Sequence, residues 1–70
     1  MKERVLNYIK EYACREGMLP TYREIGEGVG LKSMSSLFYY FEILVLEGEI
    51  ERIGKRYRVK GLRYERDMGN

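Results

Sequence analysis

Arg52, Lys55 and Arg56 fall close together in the last third of this 70-residue chain. Side chains of this kind make charge-assisted hydrogen bonds to phosphate and carboxylate oxygens. The wider charge distribution points the same way. Residues 1–30 balance at net 0, residues 31–51 carry −3 and residues 52–70 carry +5, which gives the overall +2. A C-terminal third this basic suits a polyanion; on charge alone, a solvated basic tail fits equally well. Catalysis and metal chemistry have far less to work with. Histidine is absent and cysteine occurs once, at Cys14, which removes the commonest general base, the usual zinc-ligand sets and any internal disulfide. No grouping of serine, lysine and carboxylate suggests an activated nucleophile. The expectation is a non-enzyme with no cofactor, no metal and no small-molecule substrate.

The scaffold that must position those cations is written in the chain's periodicity and punctuation. A composition of 44% hydrophobic and 34% charged residues is that of an ordinary soluble domain, and a chain this short holds one small core. No apolar run approaches the ~18 residues of a membrane span. Met1-Lys2-Glu3-Arg4 leads into an amphipathic pattern rather than a signal-peptide core. A cytoplasmic protein without a membrane partner is expected.

Val5, Leu6, Ile9, Tyr12 and Ala13 repeat at the spacing of one helical face, so residues 3–16 are expected to form a helix. Gly17 is placed to cap its end, and Pro20 forbids simple continuation. Thr21-Tyr22-Arg23-Glu24 is a capping-box pattern that opens a second, short helix with Ile25 and Val29 inward. Gly26 within it is read as permitting close helix contact. Gly30 ends that helix, and Ser33 is a good N-cap for a third, which runs over residues 34–47 with Leu37, Phe41 and Leu44 inward and Gly48 as its stop. Phe38, Tyr39, Ile43, Val45 and Leu46 exceed what so small a core can hold, so part of this helix must face solvent or a partner.

Beyond Gly48 the period becomes two. Residues 49–53 and 56–60 read as strands joined by Gly54-Lys55, whose leading glycine suits a type II′ turn. That two-residue loop sets Ile53 opposite Arg56, Arg52 opposite Tyr57, Glu51 opposite Arg58, Ile50 opposite Val59 and Glu49 opposite Lys60. Arg58 and Lys60 are then expected to be partly neutralised across the strands, which leaves Arg52, Lys55 and Arg56 as the uncompensated cations. The fold so assembled is mainly α with a small β-hairpin: a winged helix-turn-helix of three helices plus a two-stranded wing. Residues 1–60 make up the domain, and residues 61–70 are expected to be a mobile C-terminal tail apart from docking by Leu62 and Tyr64.

The segments Gly17-Met18-Leu19-Pro20-Thr21-Tyr22-Arg23-Glu24-Ile25-Gly26, Val29-Gly30-Leu31-Lys32-Ser33 and Gly48-Glu49-Ile50-Glu51 together resemble the N-terminal DNA-binding domain of LexA-type repressors, over roughly residues 3–60. The resemblance implies a third helix that enters the DNA major groove and a wing that grips the backbone. It implies Ser33, Ser35, Ser36, Phe38 and Tyr39 as the residues facing bases. The sequence departs from the family there, because this helix has no Arg, Asn or Gln, the side chains that read guanine or adenine bidentately. The sequence carries no counterpart of the family's protease domain, so self-cleavage is not implied. The resemblance is that of a small prokaryotic, phage or mobile-element regulator.

Two functions follow. In the first, a transcriptional regulator binds double-stranded DNA: serine and Tyr39 hydroxyls meet base edges, Phe38 meets thymine methyls, and Arg23, Lys32, Arg52, Lys55 and Arg56 hold phosphates. In the second, the fold is a protein-interaction module whose apolar third helix, through Phe38, Tyr39, Ile43 and Val45, forms a homodimer or inhibits another protein. The two are compatible, since a dimer supplies paired half-sites.

Overall fold

The computed structural model describes residues 1–62. Three helices precede one hairpin: α1 (Lys2–Glu16), α2 (Tyr22–Val29), α3 (Met34–Leu46), β1 (Ile50–Ile53) and β2 (Arg56–Val59). The local signals act where the sequence places them. Gly17 ends α1 in the left-handed conformation at φ 75°, and its N–H donates to the Ala13 carbonyl. At the start of α2 the capping box is complete: Glu24 N–H donates to Thr21 Oγ1 at 3.1 Å, and Thr21 N–H donates to Glu24 Oε1 at 2.8 Å. That backbone hydrogen bond from Thr21, ahead of a weaker one from Tyr12, holds the Glu24 carboxyl below its ordinary pKa. Gly30, at φ 80°, ends α2. Ser33 then caps α3, its Oγ accepting from Ser35 N–H at 3.2 Å. The axes of α2 and α3 meet at 102°, within the range of a helix-turn-helix.

The core is one cluster. Val5, Ile9 and Ala13 of α1, Ile25 and Val29 of α2, and Leu37, Phe41 and Leu44 of α3 pack with Leu19, Ile50, Tyr57 and Val59. The inward stripes of α2 and α3 match the expected ones; in α1, Val5, Ile9 and Ala13 are buried as expected, while Leu6 only flanks the cluster and Tyr12 is half-buried, its hydroxyl donating to Glu24 Oε2 at 3.1 Å. Leu62 packs against this cluster; Tyr64 and the remainder of the tail lie outside the described residues.

The hairpin is antiparallel in the expected register, with Ile50 opposite Val59, Glu51 opposite Arg58, Arg52 opposite Tyr57 and Ile53 opposite Arg56. Gly54 takes φ 62° while no described non-glycine residue has positive φ, which agrees with a II′ rather than a I′ turn. The wing is anchored by Ile50, Tyr57 and Val59, all buried. Tyr57 ties the wing back to the loop before α2: its hydroxyl donates to the Pro20 carbonyl at 2.6 Å.

One glycine assignment is corrected. A Cβ on Gly26 would meet Leu31 O at 3.7 Å and Leu37 Cδ2 at 3.9 Å, ordinary van der Waals contact, so close packing does not require glycine there. The close approach lies at Gly28, where a Cβ would fall 2.2 Å from the Tyr8 ring. Gly26→Ala is therefore expected to raise stability by about 1 kcal/mol through helix propensity. In Gly28→Ala the same gain is offset by displacement of Tyr8. Urea denaturation of the two variants checks this; equal midpoints would contradict it.

Candidate nucleic-acid interface

The candidate interface lies on the side of α3 opposite the core. With Leu37, Phe41 and Leu44 buried, helical periodicity turns Ser35, Tyr39, Glu42 and Leu46 outward, and all four are exposed. Phe38 flanks this stripe. Its ring meets Tyr22 edge to face at a centroid distance of 5.3 Å, and Tyr22 in turn packs on Phe41 at 5.1 Å and on Tyr57 at 5.8 Å. Phe38 is thus held from behind and 42% exposed in front. Tyr39, 64% exposed, rests edge-on against Tyr40.

Each expected base-facing residue lies in the N-terminal half of α3 or at its cap. Ser33 and Ser35 are exposed, and Ser36 is half-buried. Ser33 already uses Oγ as the cap acceptor, which leaves its O–H available to donate. These hydroxyls, the Tyr39 phenol and the Phe38 ring give α3 short hydrogen-bonding reach and apolar contact. The only charged residue of α3 is Glu42.

The cations are distributed differently from the expectation. Arg52 lies on the core-facing side of the wing, with Ile50, Tyr57 and Val59, because the strand period is two. There its guanidinium donates to Glu42 Oε1 at 2.8 Å and sits 5.5 Å from the centroid of the Phe41 ring. It is not an uncompensated cation. Conversely, neither Arg58 with Glu51 nor Lys60 with Glu49 forms an ion pair; Lys55, Arg56, Arg58 and Lys60 are all exposed and make no ion pair among the described residues. The cross-strand pairing failed because register brings Cα atoms opposite without bringing long, hydrated side-chain ends together. A groove of about 550 Å3, lined by Val45 and Gly48 on one side and by Glu51, Arg58 and Lys60 on the other, runs between the end of α3 and the wing.

Of the remaining expected phosphate contacts, Lys32 is exposed in the turn before α3. Arg23, near the start of α2, is exposed with Nε 3.6 Å from Glu27 across one helical turn, a pair that contributes little. The residues expected to form an apolar protein-binding face do not make one surface. Val45 packs against the core and Ile43 is half-buried, whereas Leu46, which that set omitted, is 80% exposed.

A helix-turn-helix with an exposed second helix, flanked by a hairpin rich in unpaired cations, defines the nucleic-acid-binding winged-helix class. Comparison with known proteins agrees. The LexA DNA binding domain family matches residues 2–59, and the chain belongs to that family. It is 41% identical over 59 residues to a LexA repressor of Thermobifida fusca, covering 84% of this chain and 23% of the relative. It is 38% identical over 58 residues to the LexA repressor of Leuconostoc mesenteroides, covering 83% and 27%. With the LexA repressor of Corynebacterium jeikeium it shares 37% over 62 residues, covering 89% and 23%. The chain therefore spans about a quarter of the length of these relatives. No solved structure gives a significant match.

Proposed function

We propose that this chain is a DNA-binding transcriptional regulator acting on double-stranded DNA in the cytoplasm, with α3 in the major groove and the basic wing on the phosphate backbone. The observation that carries this reading is the set of unpaired cations on the wing, together with the exposed N-terminal half of α3, in a chain of the LexA DNA-binding family. Ser33, Ser35, Ser36, Phe38 and Tyr39 face the bases. Lys32, Lys55 and Arg56 hold phosphates, joined by Arg58 and Lys60 and, from α2, Arg23. Helix α3 has no side chain for bidentate readout, so base discrimination rests on hydroxyl contacts and on apolar contact with thymine methyl groups. Membership of a DNA-binding family favours DNA over a protein partner as the target of α3.

Neutralising several phosphates releases counterions, so affinity for duplex DNA is expected to fall steeply and linearly in log–log form as salt rises. Fluorescence anisotropy with a labelled duplex, from about 50 to 200 mM salt, reads the slope. Absence of binding at the lowest salt would overturn the reading.

A further inference from the structure

The structure assigns Arg52 a positioning role: with Glu42 it forms a latch that fixes the wing against α3, so that helix and wing engage one duplex together. Three observations converge on it. Arg52 and Glu42 are bonded at 2.8 Å between different elements, β1 and α3. The guanidinium rests over Phe41, a ring with 0% exposure that cannot move without disturbing the core. Across the hairpin, directly opposite Arg52, Tyr57 is tied to the Pro20 carbonyl. The two strands are thus each pinned at the same level. Beyond that level only Ile53, Gly54, Lys55 and Arg56 project, all exposed.

The latch has a second effect. Glu42 is one helical turn beyond Phe38 and Tyr39 and shares their side of α3. An unpaired carboxylate there would repel the phosphates that α3 approaches, and Arg52 neutralises it. Arg52 therefore acts on DNA through Glu42 and through the angle of the wing, not as a phosphate contact. Lysine would supply the charge but not the planar fork that lies on Phe41 while bonding a carboxylate.

The inference rests on the DNA-binding reading, and a charge swap in the full chain separates the two. Arg52→Glu is expected to weaken duplex binding about tenfold or more. Adding Glu42→Arg rebuilds the pair in reverse, leaves net charge unchanged and is expected to restore affinity to within about threefold, with the wild-type salt slope. A double variant as weak as Arg52→Glu alone, or a slope reduced by about one phosphate contact, would show that Arg52 touches DNA and would overturn the latch. A DNA-free readout covers the case in which the wild type binds no duplex. Backbone 15N order parameters at residues 53–56 are expected to fall in Arg52→Met and to recover in the swapped pair. Unchanged order in Arg52→Met would overturn the latch whatever happens with DNA.

Discussion

Phe41→Ala is expected to lower stability by about 3–5 kcal/mol, close to the whole stability of a domain at the small end of the usual range. Phe41 is fully buried, and Tyr22, Tyr57 and Arg52 all rest on its ring. Removing it leaves a cavity at the junction of α2, α3 and the wing, three elements that cannot close on it independently. Circular dichroism is expected to show a largely unfolded population at 25 °C, and urea unfolding of a Phe41→Leu variant, which keeps most of the volume, is expected to show a much smaller loss. Phe38→Ala provides the contrast one turn earlier in the same helix. Its ring is partly exposed, so the domain should remain folded while its preference among duplex sequences relaxes. A Phe41→Ala variant with a near-native denaturation midpoint would show that the aromatic cluster is not the keystone of the fold.

The second large effect concerns the wing. Replacing Lys55, Arg56, Arg58 and Lys60 together by alanine is expected to weaken duplex binding by about a hundredfold or more at moderate salt. The log–log salt slope should fall by about 0.9 for each cation that had sat on a phosphate. The loss should be uniform across sequences, because phosphate contacts carry no base information. All four residues are exposed and make no ion pair among the described residues, so thermal unfolding is expected to be little changed. Isothermal titration over several salt concentrations measures affinity and slope together. If this quadruple variant bound as wild type, the backbone grip would have to lie on Arg23 and Lys32 instead.

These two predictions differ in how far the sequence alone leads to them. Phe41 was legible because a helical stripe needs only the residues of one helix. Thr21 with Glu24, Gly17, Gly30 and Ser33 were legible because a cap acts over three or four residues. The hairpin register followed from a two-residue turn for the same reason. What escaped were contacts set by how elements pack. The Arg52–Glu42 bond depends on the angle of the wing to α3, which no local pattern encodes. Helical periodicity would have put Glu42 on the same face as Phe38, but not within reach of β1. Likewise the close approach at Gly28 is set by Tyr8 of α1, a residue twenty positions away that no local pattern connects to it. The division of wing cations into an inward arginine and an outward set was in principle readable, since the strand period alone separates Arg52 from Arg56 and Arg58.

The bond from Tyr57 to the Pro20 carbonyl spans 37 residues, and with it comes an ordering in time. A chain emerging from the ribosome at about 5–20 residues per second can form α1 early. The Tyr22, Phe41 and Tyr57 cluster is complete only when β2 has cleared the exit tunnel. Until then Phe38 lacks its fixed backing and the wing cations have no fixed place. The nascent chain thus acquires the surface formed by α3 and the wing late and as a unit, and any truncation upstream of Val59 is expected to yield a chain without that surface rather than one with a weaker version of it.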